Sequence, residues 1–130
     1  MKMNPQKISA KLDVYPFFKD IIEDGYHVFN LENARVPGYY PHKFPMYPGV
    51  TLNDLYVGDV ITIRAFFRIG AGKNIRADCE YLDLEVVHIE GDSVDGLILT
   101  KLPRGYSLQA GSEIEVFQDE ILYKARNTEH

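Results

Sequence analysis

From Val60 to Ile69 the chain alternates in character residue by residue, with Ile61, Ile63, Ala65, Phe67 and Ile69 on one side and Thr62, Arg64 and Arg68 on the other. A period of two places successive side chains on opposite faces, so this run specifies an extended strand with one buried side. A lone strand cannot hide that side. The following segments supply neighbours: Glu80 to Ile89 and Val94 to Thr100 are strand-like and are joined by Glu90, Gly91 and Asp92, a connection with glycine where a positive φ is often required. Ile114, Val116 and Phe117 belong to a further short strand after Ala110, Gly111 and Ser112, and Asp119 to Tyr123 reads as a short terminal helical turn.

These strands are near enough in sequence for a register to be predicted. If the loop at 70–79 closes the first pair, Arg64 faces Glu85 in water while Ile63 faces Val86 in the core. A three-residue loop at Glu90 to Asp92 sets Val86 opposite Gly96 and Leu84 opposite Ile98, which gathers Leu82, Leu84, Val86, Val94 and Ile98 on one face. Gly96 then falls mid-strand, a bend point for a closing sheet. Phe66, Tyr81, Val87, Leu97 and Leu99 lie on the outer face among the charges, so that face needs an apolar cover.

The expected cover is an N-terminal helix. Residues 12–24 carry Val14, Phe17, Phe18, Ile21 and Ile22 at spacings of three and four, with Asp13 as N-cap, Pro16 in the first turn and Gly25 as the stop. Between helix and strands, Val36 to Gly49 contains four prolines, which exclude a regular helix or central strand. The fold class expected is α+β, mainly β: an antiparallel meander forming a small SH3-like or open barrel, with an N-terminal helix packed on it. With 130 residues the chain suits a single domain, read as 1–25 N-terminal segment and helix, 26–57 irregular aromatic and proline-rich arm, and 58–124 barrel core.

The run from Glu80 to Leu99, followed by Leu102-Pro103, by Leu108 to Val116 and by Ile121, resembles the small bacterial YegJ-like domains of unknown function. The shared pattern is a Gly-Asp turn leading to a glycine-containing strand, an x-Pro step, then Leu-x-x-Gly and a short strand, over residues 58–124. The resemblance implies a small barrel and no particular chemistry.

Charge and composition bound the function. The net charge of −5 argues against nucleic acid, because phosphate binding relies on clustered Lys and Arg. Arg64, Arg68, Lys73 and Arg76 do fall close together, but Asp83 and Glu85 are expected to face them. The opening residues Met1 to Pro5 lead into no apolar run of signal-peptide or membrane-spanning length, so a cytoplasmic protein without membrane contact is expected. Cys79 is the single cysteine, which leaves neither an internal disulfide nor a thiolate metal site.

No coherent catalytic set emerges. Gly70 to Lys73 ends in lysine, but Asn74 follows and strands flank the loop, whereas a phosphate loop opens a helix with Ser or Thr after the lysine. Cys79 lies between Asp78 and Glu80, which raise a thiol's pKa where a nucleophile needs it lowered. His27, His42, His88 and His130 show no metal-ligand spacing, and His88 is predicted on the core face. Glu113, Glu115, Asp119 and Glu120 read as a solvated face with nothing to predict a cleft. No cofactor, no metal ligand and no catalytic residue is assigned. The arm supplies the candidate binding residues Tyr39, Tyr40, His42, Phe44 and Tyr47, since aromatic side chains on a stiffened backbone are common recognition material; the opposing reading is a core lid. The leading expectation is therefore a non-enzymatic binding or adaptor domain for a protein partner, recognised through that arm. Two alternatives stand beside it: a bacterial immunity or defence-associated protein whose acidic strands mask a basic partner, and an enzyme or small-ligand binder using His42, neighbouring tyrosines and Arg35.

Overall fold

A computed structural model describes residues 7–8, 21, 23–30, 49–70 and 76–126 of the chain. They form one antiparallel sheet of seven strands: β1 (Lys7–Ile8), β2 (Tyr26–Val28), β3 (Val60–Ile69), β4 (Arg76–Glu90), β5 (Ser93–Ile98), β6 (Glu113–Phe117) and β7 (Ile121–Arg126). The long β3–β4 ribbon is the spine. Its β3 edge carries β2 beside Ala65–Phe67 and β7 beside Val60–Ile63; its β4 edge carries β1 beside Ala77–Asp78 and β5 beside Leu84–Glu90. β6 follows β5 outward and returns through a 3-10 turn, Gln118–Glu120, into β7 on the far side of β3. The sheet therefore curls into a half-barrel.

The curl has a local cause. Fifteen residues of β4 would run roughly 50 Å if straight, so the strand must bend to serve both β3 and β5. Its ladder with β5 shifts register between Val86 and His88, a bulge at Val87. Opposite it, a Cβ on Gly96 would stand 2.8 Å from the Leu84 Cβ, so only glycine lets the two strands approach this closely at the bend.

Ile61, Ile63, Ala65 and Phe67 of β3 meet Leu82, Leu84 and Val86 of β4, Val94 and Ile98 of β5, Ile114 and Val116 of β6, and Ile121 of β7 in one aliphatic core. The three aliphatics Ile63, Leu84 and Ile98 are buried together, as their alternation predicts. Asp59 and Lys124 tie the two ends of the barrel wall: the Lys124 Nζ lies 3.4 Å from the Asp59 carboxylate and donates to the Asp54 carbonyl at 2.7 Å.

The β4–β5 register is as predicted at Leu84–Ile98 and Val86–Gly96, but by a different route. Glu90 pairs Ser93 across a two-residue turn, and the bulge at Val87 absorbs the missing residue. That bulge corrects His88. Instead of facing the core it is exposed, 3.4 Å from Glu90, while Ile89 turns inward.

The β3–β4 register is also corrected. Ile63 pairs Leu82 and Arg64 pairs Tyr81; Glu85 lies opposite Val60. β4 begins at Arg76, so the loop is shorter than predicted and the ladder is offset by an even number of residues, which keeps the same side chains inside. Arg64 is not in water but fully buried. Three further differences concern boundaries. β2 is a strand within the stretch expected to be an irregular arm, β7 occupies most of the expected terminal helical turn, and only the 3-10 turn before it is helical in kind.

The outer face of the spine is buried as well: Thr62, Arg64, Phe66, Ala77 and Cys79 are all nearly inaccessible. Phe29 packs on Phe66 with ring centroids 6.3 Å apart. Ile21, Glu23 and Asp24 lie in a helical turn that Gly25 ends at φ +86, its N–H donating to the Ile21 carbonyl at 3.0 Å. The rest of the helix expected over 12–24 lies outside the described residues. Among the described residues, no helix is long and apolar enough to cross a membrane.

Candidate functional site

A recess forms where three parts of the chain converge on the β6–β7 turn. β6 alternates exposed and buried residues, so that Ile114 and Val116 enter the core while Glu113, Glu115 and Phe117 point out. The chain then tightens: the Phe117 N–H donates to the Glu120 carboxylate at 2.8 Å and fixes the 3-10 turn. Gln118 accepts the Leu52 N–H at 2.9 Å, which moors the turn to the segment leading into β3. Asn30, just past β2, approaches from one side, and Asp92, in the β4–β5 turn, from another.

The result is an open cleft of about 490 Å³ lined by Asn30, Asp92, Phe117, Gln118, Asp119 and Glu120. Its character is acidic and amide-rich, with one aromatic ring. Burial pushes the Glu120 carboxyl up to about 7, reinforced by Asp119 and Glu115 and opposed by the Phe117 N–H. The same carboxylate, behind burial and Asp24, helps raise the Tyr26 phenol. Such a recess suits a cation: carboxylates supply the charge and the Phe117 ring, 42% exposed, supplies a flat apolar wall.

A second polar cluster sits on the inner face at the opposite end of the spine. Asp78 and Glu80 point to the same side as Phe67 and Ala65, their cross-strand neighbours. Tyr106, from the irregular stretch between β5 and β6, stacks on Phe67 at 4.7 Å between ring centroids and brings its hydroxyl 3.1 Å from Asp78 and 3.2 Å from Glu80. Burial and the two carboxylates drive the Tyr106 phenol far above its ordinary range. Its role is to fasten that stretch across the half-barrel.

Arg64 occupies the outer face between two rings, 4.0 Å from the Phe29 centroid and 5.9 Å from that of Tyr81, with Nη1 donating to the Tyr81 hydroxyl at 3.4 Å. Beside it, burial pushes the Cys79 thiol up to about 12; Glu80 and Asp78 add to the rise and Arg64 opposes it. A buried thiol held protonated is inert as a nucleophile, in line with the sequence argument though for a larger reason.

Of the sequence-derived binding candidates, Tyr39, Tyr40, His42, Phe44 and Tyr47 lie outside the described residues, as do Arg35 and Lys73. Their segment runs between the described residues Asn30 and Gly49. Asn30 lines the cleft, and Gly49 donates to the Leu122 carbonyl at 3.1 Å, two residues beyond Glu120. Asp119 and Glu120, read from sequence as a plain solvated face, instead line a recess. Asn30, Asp92 and Gln118 carried no sequence signal of their own, because their meeting depends on β2 and β7 sharing one edge of β3. Among the described residues, no group of three or more His, Cys, Asp or Glu side chains is placed to hold a metal ion.

Set against protein-family models, curated proteins and solved structures, the chain has no significant match. The YegJ-like resemblance gains no support from these comparisons, and the residues themselves carry the functional reading.

Proposed function

We propose that this chain is a non-enzymatic binding domain that receives a basic segment of a protein partner at the β6–β7 turn. The observation that carries the reading is the cleft in which Asp92, Asp119 and Glu120 surround an open recess beside Phe117. A lysine or arginine placed there sets its charge among carboxylates and lays its aliphatic stem along the ring. The net charge of −5 draws basic partners from a distance. Tyr39, Tyr40, His42, Phe44 and Tyr47 belong to the segment that follows the cleft residue Asn30, which makes them the second set to substitute. A partner whose basic surface must stay covered, as in an immunity or defence-associated pair, fits the same chemistry.

The test is capture from the native host at low salt by the full chain, run in parallel with Phe117→Ala and with Asp119→Asn plus Glu120→Gln. The reading expects a protein that leaves the wild type at roughly 0.5 M salt, where the screening length falls to about 4 Å, and that neither variant retains. Equal retention by wild type and both variants would overturn it.

A further inference from the structure

Among the described residues, the strand that leads into the cleft is paired along one edge only. In the β5–β6 ladder, Gly96 pairs Ile114 and Val94 pairs Val116, and just beyond it the Ile98 N–H donates to the Ser112 carbonyl at 2.9 Å. Antiparallel ladders alternate bonded and non-bonded pairs. Ile114 and Val116 therefore turn their backbone groups toward β5, and Glu113 and Glu115 turn theirs away. Among the described residues β5 is the strand neighbour of β6. The Phe117 N–H, next in the outward series, is taken by Glu120, which ends that series at the mouth of the cleft.

The side chains along this edge decide what fits it. Glu113 and Glu115 are both exposed, and the Ser93 hydroxyl holds the Glu115 carboxylate at 2.8 Å. Like charges brought directly opposite one another across a sheet are destabilising, so a second copy of β6 is repelled. A strand with cations at alternate positions is attracted instead.

We propose that the partner docks as an added strand along β6, with Lys or Arg at alternate positions opposite Glu113 and Glu115 and its end seated in the cleft beside Phe117. The partner is thus an extended basic segment of a protein, held by main-chain hydrogen bonds to Glu113 and Glu115 and by cross-strand charge pairs. This inference rests on the reading of the domain as a binder of basic partners, and specifies how the partner lies.

The experiment uses the full chain, labelled with ¹⁵N, and an acetylated, amidated probe peptide of sequence KTKVKT at low salt. A second peptide carries methyl groups on the backbone nitrogens of its three lysines, which blocks strand pairing and leaves charge unchanged. The proposal expects amide exchange at Glu113 and Glu115 to slow by at least about tenfold at saturation, and the methylated peptide to bind about tenfold more weakly. Glu113→Gln with Glu115→Gln weakens the parent peptide severalfold. Shifts at Asn30, Asp119 and Glu120 with unchanged exchange at Glu113 and Glu115, or equal binding of the two peptides, would overturn the added strand while leaving a basic binding site. Absence of any shift at millimolar peptide would overturn both.

Discussion

The two faces of the β3–β4 ribbon are both buried, yet they are built on different terms. The inner face joins Ile61, Ile63 and Phe67 to Leu82, Leu84 and Val86 in a dry aliphatic core that draws on four further strands. The outer face buries Arg64, Thr62 and Cys79 beside Phe66, with Thr62 donating to Asp83 at 2.8 Å and Arg64 lodged against Phe29 and Tyr81. Apolar transfer fixes the inner face whatever the partners. The outer face combines packing with polar contacts, such as that of Thr62 to Asp83. A ribbon can thus be buried on both sides and still have one face set by shape alone and another that fits polar and charged groups into its packing.

Paired truncations sharpen that contrast and carry the largest expected effect. Leu84→Ala leaves a cavity in a core already tight against Gly96 and costs about 3 kcal/mol. Arg64→Ala costs about 2–3 kcal/mol through lost packing and cation–π contact, and Arg64→Met, which fills the space between the rings without a charge to desolvate, regains most of it. Urea midpoints measure all three. If Arg64→Met is as damaging as Arg64→Ala, the guanidinium's charge matters more than its volume and the contrast between the faces is deeper than packing.

Tyr106→Phe probes the place where polar chemistry intrudes on the inner face. The ring still stacks on Phe67, but the hydroxyl contacts to Asp78 and Glu80 are gone, at a cost of about 1–2 kcal/mol. The phenol's folded pKa is raised above its unfolded value of 10. Its contribution is therefore whole below pH 10 and is lost as the pH climbs toward the folded value. Wild type should lose more stability than Tyr106→Phe between pH 9 and about 11. Parallel curves would mean that the hydroxyl plays no part in fastening the 99–112 stretch.

The inner face is also the part most legible in the sequence. Strict alternation over Val60–Ile69 fixes which side chains share the Ile63 face, and a register offset by an even number leaves that set unchanged, so Ile63 belongs to the core opposite Leu82 as it would opposite Val86. The expected Val86–Gly96 pairing holds because the bulge at Val87 offsets a turn one residue shorter than the three-residue loop expected, and the fate of His88 depends on that same bulge, which no residue type announces. Burial of Arg64 had a signal, Phe66 and Cys79 standing among charges on the supposedly wet side, but the sequence could not tell which groups would close over it. The cleft was less legible still. Asn30 and Glu120 meet only because β2 and β7 divide one edge of β3 between them, and β2, three residues long, leaves almost no periodic trace.

The smallest effect expected lies at that cleft and separates it from both faces of the ribbon. Glu120 has a folded pKa of about 7 against an ordinary value of 4.5, so the folded protein holds its proton more tightly than the unfolded chain. The stability this confers is complete below pH 4.5 and is lost as the pH rises through 7. Because the carboxyl is half-exposed, solvent screening limits the effect to about 1 kcal/mol. Glu120→Gln keeps an oxygen for the Phe117 N–H and has no proton to lose. The variant should therefore match wild type at pH 4 and exceed it by about 1 kcal/mol at pH 8 in chemical unfolding. An equal difference at both values would mean that folding leaves the proton affinity of Glu120 unchanged. The stability gap at pH 8 measures what it costs to hold the Glu120 charge in a half-buried site beside Asp119 and Glu115, a cost that an incoming cation offsets.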